Sequence, residues 1–348
     1  MKVLVAMSGG VDSSVAAARL ADAGHEVVGV TMKLWGGESD SGCCSVSDVD
    51  DARRVAQQIG IAHHVWTFGD DFERHVVGPY VDAHRRGETP NPCIECNRHL
   101  KFDRLTRRAA AVGFDAVATG HHARVVERPD GTRRLARGAD AAKDQSYVLY
   151  VLGQRELART LLPVGDMTKD EVRAEAGRRG LRTADKPDSQ DVCFVTAAAG
   201  REGFLGRRIT LRPGRIVDEE GRDVGGVDAV ELVTVGQRRG LGLPGGGAPR
   251  YVVDVDVPGA TVRLGPEAAL RRDRVELARV VWAAGPVSGA VAAQCSAHGR
   301  VRRAVVVPDA TGDRAVVRFA EPQRRVAPGQ SVVLYEGDEV VGGGIARA

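Results

Sequence analysis

The segment SGGVDSS at residues 8–14 has the residue types of a loop that holds phosphate. It lies between an apolar run and an alanine-rich run, so it is expected at the carboxyl end of a first strand, where α/β proteins bind ligands. Gly9 and Gly10 let the backbone approach an anion, and a helix expected to start near Ser13 supplies N–H groups. Asp12 is suited to hold Mg²⁺ or to cap that helix. The segment matches neither GxxxxGK[ST] nor GxGxxG, and it therefore predicts a phosphate site of another kind.

Three cysteines carry the second set of chemically useful side chains. Cys93 and Cys96 have the spacing CxxC before a predicted helix whose N-cap is expected at Asn97, and Cys193 lies in the segment DSQDVCFV. Free N–H groups at a helix start lower a thiol pKa and favour the thiolate. A zinc site takes four ligands and a second CxxC pair is missing, while a redox pair normally opens a helix of a thioredoxin-like unit. The residues alone leave zinc, redox and unreactive cysteines open.

Composition limits the classes of protein that this chain can be. Its 348 residues, 43% hydrophobic, predict two or three domains. The start MKVLVAMSGG is not a secretory signal, and no stretch approaches the ~20 apolar residues of a membrane helix. We therefore expect a cytoplasmic protein with no membrane partner, whose six cysteines do not form a disulfide scaffold. Cys43, Cys44 and Cys295 match no motif and are expected to be structural.

The net charge of +3 does not by itself indicate affinity for nucleic acid. Residues 271–348, however, hold twelve arginines, no lysine and eight acids. Arg300, Arg302 and Arg303 are the strongest local candidates for phosphate contacts, with Arg300 and Arg302 expected on one face of a strand. A solvated strand face in an arginine-rich protein is the alternative.

The elements that must position these residues alternate between strand and helix along the first 120 residues. This alternation predicts a parallel, doubly wound sheet. The predicted strands are Val3–Ala6, Glu26–Met32, His64–Phe68 and Asp115–Thr119, and the predicted helices are Ser14–Ala23, Val49–Ile59, Leu100–Val112, Gln154–Leu162 and Lys169–Arg179. Gly24, Gly60 and Gly113 are expected as left-handed residues after helices, and Thr168 as an N-cap with Glu171.

After residue 205 the sequence becomes rich in short alternating runs separated by Gly, Pro and Asp turns. We predict an α/β domain over 1–204, a small β-rich central domain over 205–272 and a C-terminal β-barrel over 273–348. The barrel is expected to dock a nucleic acid.

The loop SGGVDSS resembles the pyrophosphate loop of enzymes that split ATP into AMP and pyrophosphate. Together with GVTMKLW, TPNPCIECNRHLKFD, ATGHHAR, KDQSYVLY, DSQDVCFV, VGQRRGLG and PGQSVVLY, it resembles the bacterial tRNA-specific 2-thiouridylases, in order and across nearly the whole chain. The resemblance implies an adenine-nucleotide α-hydrolase-like first domain. It also implies conversion of the wobble uridine of certain tRNAs to 2-thiouridine, by adenylation of the C2 oxygen and sulfur transfer from a cysteine persulfide.

The resemblance also implies roles for individual residues. Cys193 would carry the persulfide and Cys96 would be the second catalytic cysteine, which liberates the sulfur or closes a disulfide with Cys193. ATP, with Mg²⁺, would be contacted by Ala6, Met7, Ser8, Gly9, Gly10, Val11, Asp12, Ser13, Met32 and Gly120. The target base would be held by Asn91, Pro92 and Cys93, and tRNA by His121, Lys143, Asp144, Gln145, Arg300, Val301 and Gln330.

Cys93 departs from the pattern of many relatives, which have Asp at this position. With Cys there, Cys93, Cys96 and Cys193 could instead hold three irons of a [4Fe–4S] cluster. We expect the persulfide route, a monomer, and a separate protein that donates the sulfur. Two alternatives come from other classes: an amidating ligase or synthetase that uses the same loop on a small molecule, and an RNA-binding module without turnover.

Overall fold

The computed structural model describes residues 1–34, 45–188, 192–195, 199–243 and 248–347. These residues form an α/β unit, a small β unit and a closed barrel, so the predicted fold class is confirmed. Within the ranges just given, no helix combines the length and the apolar character needed to cross a membrane.

A five-stranded parallel sheet with the order β3-β2-β1-β4-β7 forms the α/β unit. Its central strand is buried on both faces, because Leu4 packs into one hydrophobic cluster while Val3 and Val5 pack into the other. This is why the strand reads as a continuous apolar run. The strands are β1 (Lys2–Ala6), β2 (Glu26–Lys33), β3 (Ala62–Thr67), β4 (Ala116–Thr119) and β7 (Thr160–Leu161).

Ten α-helices accompany the sheet, and two π-helical segments, Glu73–Val77 and Cys96–Arg104, join α3 to α4 and α5 to α6. The helices are α1 (Val11–Asp22), α2 (Val46–Gln58), α3 (Gly69–Phe72), α4 (Gly78–Arg85), α5 (Pro92–Glu95), α6 (Leu105–Ala111), α7 (Ser146–Leu149), α8 (Gln154–Leu157), α9 (Lys169–Arg178) and α10 (Gly200–Gly206), all within the described part of the chain.

Local sequence signals account for several of these helix ends. Thr168 and Glu171 form the predicted capping box, and Gly24, Gly60 and Gly113 have the predicted positive φ. The prediction of a helix over Gln154–Leu162 was wrong beyond Leu157, because Thr160 and Leu161 pair with β4 as an edge strand.

The small β unit is a four-stranded sheet with the order β10-β11-β8-β9. Ile216, Val252, Val262 and Leu264 form the centre of its core. Its strands are β8 (Gly214–Val217), β9 (Asp223–Val227), β10 (Tyr251–Asp256) and β11 (Thr261–Gly265), with 3-10 turns at Val230–Leu232 and Glu267–Leu270.

Six antiparallel strands close into a barrel through the pairing of β12 with β17. A hairpin from the first part of the chain extends the same sheet, since Ala136 of β6 pairs with Glu339 of β17. The predicted domain limits remain predictions, but this hairpin means that the first and last parts of the chain share one sheet. The strands are β5 (Ala123–Glu127), β6 (Arg133–Arg137), β12 (Arg271–Trp282), β13 (Gly289–Gln294), β14 (Arg302–Pro308), β15 (Arg314–Arg324), β16 (Ser331–Glu336) and β17 (Glu339–Ala346).

Candidate active site

A cavity of about 500 Å³ lies at the carboxyl ends of β1, β2 and β4. Its walls include the loop after β1, all three cysteines that the sequence singles out, and Ala297 and His298 of the barrel. The cavity therefore brings together residues from both ends of the chain.

The loop after β1 has the geometry of an anion cradle. Gly9 has φ +73°, and a Cβ there would lie 2.3 Å from the Asp48 carbonyl oxygen, so only glycine fits. Gly10 stands at the N-cap of α1 without a side chain, which leaves the first-turn N–H groups directed at the cavity side of the loop. Gly120 closes the other side: a Cβ there would lie 2.5 Å from the Ser13 nitrogen. Of the ten residues predicted to contact ATP, all but Gly9 line the cavity.

Asp12 does not cap α1, so one of the two roles predicted for it was wrong. The N-cap is Gly10, and Asp12 lies within the first turn. Its Oδ1 and Oδ2 accept hydrogen bonds from Lys169 Nζ at 2.8 and 2.7 Å, and its Oδ1 lies 3.1 Å from His122 Nε2. Burial would raise the pKa of Asp12, but these hydrogen bonds outweigh it and hold the pKa below its usual value. A carboxylate that is ionised and faces the cavity suits Mg²⁺.

Lys169 connects this carboxylate to a second one. Its ammonium also lies 2.9 Å from Asp188 Oδ1, and Lys143 Nζ lies 2.7 Å from Asp188 Oδ2. Burial acts to raise the pKa of Asp188, but the two ammonium groups hold it well below the usual value. The cavity is thus lined by alternating positive and negative groups that a polyphosphate with its cation could rearrange.

The two cysteines of the CxxC pair lie inside a helix rather than before one. The helix begins at Pro92 and is capped by Asn91, whose Oδ1 accepts a hydrogen bond from Cys93 N at 3.0 Å. The predicted N-cap at Asn97 was wrong: Asn97 is buried in the following π-helical segment and donates to the Val148 carbonyl. Cys93 is half-buried, Cys96 is 8% exposed, and both line the cavity.

Cys193 reaches the same cavity from a loop that is anchored by its neighbour. Phe194 is buried against Phe72, Tyr80 and Phe204, with ring centroids 5.6, 5.4 and 5.0 Å away. Cys193 is half-buried beside this aromatic cluster. The fold brings Cys193 to the cavity that also contains Cys96 and the phosphate loop. Both cysteines pack with the hydrophobic cluster on one face of the sheet, whereas α1 packs on the other face.

The residues predicted to contact tRNA separate into two groups. His121, Lys143, Asp144 and Gln145 line the cavity. His121 is buried, its Nδ1 lies 2.8 Å from Thr119 Oγ1, and burial, reinforced by the positive charge of Lys101, lowers its pKa well below the usual value.

The second group, Arg300, Val301 and Gln330, lies outside the cavity lining. Arg300 and Val301 are exposed, whereas Gln330 is half-buried and donates to the Thr89 carbonyl. The prediction that Arg300 and Arg302 share a strand face was wrong, because β14 starts at Arg302 and Arg300 belongs to the connection before it.

Comparison with known proteins assigns the chain to a family. A family model described as tRNA methyl transferase HUP domain matches residues 1–197, one described as tRNA methyl transferase PRC-barrel domain matches 202–266, and one described as Aminomethyltransferase beta-barrel domain matches 272–346. The tRNA-specific 2-thiouridylase MnmA of Mycobacteroides abscessus is 49% identical over 360 residues, which cover 99% of each chain. The chain belongs to the MnmA family of tRNA-specific 2-thiouridylases.

Other members of the MnmA family are similarly close. The 2-thiouridylase of Streptomyces avermitilis is 48% identical over 354 residues, covering 98% of this chain and 93% of the relative. Among solved structures, "U34-tRNA thiolase NcsA from Methanococcus maripaludis with its [4Fe-4S] cluster" is 17% identical with a TM-score of 0.37, over 60% of this chain and 65% of that one. A likeness this distant carries no functional argument.

Several cavity residues of this MnmA family member were not predicted from the sequence. Lys169 forms an ion pair with Asp12 of the phosphate loop, His122 lies 3.1 Å from the same carboxylate, and Asp188 pairs with Lys169. Phe194 anchors the loop of Cys193. The capping box indicated the position of Lys169 at a helix start, but nothing local indicated its partner 157 residues away. Cys43 and Cys44 lie outside the described residues, and Cys295 is half-buried beside Gln323 in the barrel.

Proposed function

We propose that this protein converts the wobble uridine of tRNA to 2-thiouridine, with ATP and Mg²⁺ as co-substrate. The observation that carries the proposal is that one cavity contains both an anion cradle at the start of α1 and the thiols of Cys96 and Cys193. The sulfur nucleophile has to attack the same carbon whose oxygen ATP has activated, so the ATP site and the thiols need to share one cavity. The family to which the chain belongs supports this activity.

The first step is adenylation of the uracil. The 2-carbonyl carbon is amide-like and unreactive, so its oxygen attacks the α-phosphate of ATP, and pyrophosphate leaves. The first-turn N–H groups of α1 and the ammonium of Lys169 stabilise the departing pyrophosphate. Asp12 is the residue suited to hold Mg²⁺.

The second step transfers sulfur to C2. The terminal sulfur of a persulfide on Cys193 attacks C2, and AMP leaves with the former oxygen. Cys96 then attacks the inner sulfur of Cys193, so that 2-thiouridine departs and a Cys96–Cys193 disulfide forms, or Cys96 releases the sulfur before it attacks. A separate sulfur-donor protein reloads Cys193 after an external thiol reduces any disulfide.

An iron–sulfur route is the alternative that Cys93 raises. The cysteines that would bind the cluster, Cys93, Cys96 and Cys193, line one cavity. Within the described ranges, however, no group of three or more His, Cys, Asp or Glu side chains has positions suited to a metal ion. The side chains as placed do not fit a cluster, and the persulfide route is preferred. Iron and labile-sulfide analysis of anaerobically purified protein tests this choice directly.

The single test of the proposal uses ATP, a low-molecular-weight persulfide and two tRNA transcripts that differ only at the wobble base. With uridine there, we expect AMP and 2-thiouridine in equal amounts by nucleoside mass spectrometry. With cytidine there, we expect neither product. AMP formation that is stimulated by an amino acid or nucleotide instead of tRNA would support an amidating ligase, and absence of AMP with every substrate would support an RNA-binding module.

We further propose that the protein acts as a monomer in the cytoplasm.

A further inference from the structure

The turn Cys93–Cys96 presents two different faces to its surroundings. Cys93 and Cys96, three residues apart, line the cavity. Ile94 is 1% exposed and packs in a hydrophobic cluster with Val333 and Tyr335 of the barrel. Glu95 forms an ion pair with Arg279 of β12. The side of the turn that carries no thiol is therefore held by the C-terminal barrel.

Glu95 is the centre of a cluster of basic side chains. Besides Arg279, His99 Nε2 lies 3.2 Å and Arg98 Nε 3.7 Å from its Oε2. Burial would raise the pKa of Glu95, but the hydrogen bond of His99 and the charges of Arg279 and Arg98 lower it to about 2. The carboxylate is thus fixed in its ionised form in the turn that carries the thiols of Cys93 and Cys96.

Arg279 reaches Glu95 from a strained backbone. Its φ is +52°, and among the described residues only Ala260 is another non-glycine residue with positive φ. The pairing of β12 with β17 shifts register between Ala278 and Val281, which marks a bulge at Arg279. Bulges next to active sites re-aim a side chain, and strain of this kind persists only where the surrounding structure enforces it.

We propose that Arg279 is a positioning residue for the thiol-bearing turn: through Glu95 it fixes the place of Cys93 and Cys96 in the cavity and links that place to the barrel. The expected effect on sulfur transfer rests on the proposed function, whereas the positioning of Cys93 and Cys96 by Arg279 does not depend on it. It assigns the barrel a role in sulfur transfer in addition to its predicted role in docking tRNA.

Arg279→Gly is the decisive variant, because glycine adopts φ +52° without strain and so removes the guanidinium without loosening the strand. We expect its Tm to be unchanged or higher, its KM for ATP to stay within about twofold, and 2-thiouridine formation to be about tenfold slower. Arg279→Lys, which keeps the charge, should restore part of the rate. Ala260→Gly is the matched control: it relieves the other strained residue, in a turn of the small β unit, and should thiolate like the unaltered protein.

A second readout does not depend on thiolation. In the resting protein, Arg279→Gly and Glu95→Gln should each increase the rate at which iodoacetamide modifies Cys96 by about threefold, measured by peptide mass spectrometry, because the turn opens more often. The double variant should show no increase beyond that of Glu95→Gln, since Arg279 acts on the turn only through Glu95. Additive increases, or rates in Arg279→Gly equal to those in Ala260→Gly, would overturn the proposal. Altered thiol modification in a protein that makes no 2-thiouridine would instead leave the positioning role standing and remove the proposed function.

Discussion

Lys169 donates hydrogen bonds to both carboxylate oxygens of Asp12, at 2.8 and 2.7 Å, although the two residues are 157 positions apart in the chain. The pair lies where a polyphosphate held by α1 would add negative charge. We expect ATP to draw the ammonium toward its phosphates and to leave the Asp12 carboxylate for Mg²⁺. Both residues can therefore be tested through ATP alone.

Asp12→Asn should abolish tRNA-dependent AMP formation and thiolation while tRNA affinity changes by no more than about twofold, since the amide keeps the shape of the side chain but not its charge. AMP release and tRNA filter binding measure the two effects. Asp22→Asn is the control, because Asp22 lies at the far end of the same helix and pairs with Arg179 on the surface. Normal AMP formation by Asp12→Asn would show that Asp12 does not hold the metal.

Lys169→Met should raise the Kd for ATP by about tenfold and leave the Kd for AMP nearly unchanged, because the lost charge lies beside the loop that we propose to hold the β and γ phosphates. Equilibrium dialysis with each nucleotide gives both values. Lys143→Met is a matched comparison: Lys143 shares Asp188 with Lys169 but makes no contact with Asp12 in the described structure, so ATP affinity should persist there. Equal losses for ATP and AMP in Lys169→Met would indicate a merely structural role.

Cys193→Ser should retain tRNA-dependent AMP formation and make no 2-thiouridine, because activation of the base needs no sulfur. Cys96→Ser should also lose the product. Cys295→Ser controls for removal of a thiol, since Cys295 lies in the barrel away from the cavity lining. Single-turnover thiolation by Cys193→Ser at the rate of the unaltered protein would contradict the persulfide assignment.

The double variant Arg300→Ala/Arg302→Ala should weaken binding of all substrate tRNAs alike and reduce the slope of log affinity against log salt by about one unit per lost phosphate contact. ATP affinity should not change. Both side chains are exposed, so stability is not at risk. Unchanged tRNA affinity and salt slope would mean that this arginine-rich strand end is only a solvated surface.

Stability should fall as the pH drops from 6.5 to about 4, through His84. His84 is 2% exposed at the contact between α4 and the small β unit, and its Nδ1 lies 3.3 Å from the Glu231 carbonyl oxygen. Burial first, then the charge of Arg201, lowers its pKa from 6.5 to about 4. In this window the unfolded chain binds a proton that the folded chain does not, so up to about 3 kcal/mol of the free energy of unfolding is lost.

Urea unfolding at several pH values between 4 and 7 measures this loss. His84→Gln keeps a donor for the Glu231 carbonyl and removes the titrating group, so its stability should vary less with pH. An identical pH dependence in His84→Gln would assign the loss to other residues.

Local patterns predicted those parts of the molecule that local forces determine. The apolar run Val3–Ala6, the capping box at Thr168 and the glycines after α1, α2 and α6 each act within a few residues, and the structure has them. Asn97 misled because two asparagines flank the CxxC pair, although Pro92 at the first turn of the helix marks Asn91 as the N-cap. The resemblance to a family predicted that Cys96 and Cys193 act at one site, which the local sequence around each cysteine does not indicate.

The rest depends on contacts between distant parts of the chain. Lys169 could not be matched to Asp12 from spacing, and Thr160–Leu161 became a strand only because β4 offered an edge. Likewise, no property of Arg279 in the sequence indicates that its strand bulges there. Such features depend on how distant helices and strands pack against one another, and this packing cannot be read from a single sequence.

The hairpin β5–β6 affects how the protein folds during its synthesis. Arg134 of β6 pairs with Glu336, 202 positions further along the chain, at 2.8 Å, and Arg137 stacks over the Tyr335 ring at 3.9 Å. During synthesis the hairpin emerges long before the strand that completes its sheet, and one edge of it stays unsatisfied until the last strands leave the ribosome. Such non-local pairing makes folding slow. Because β17 covers that edge of the hairpin, we expect a chain that terminates before β17 to aggregate rather than to form a smaller working enzyme.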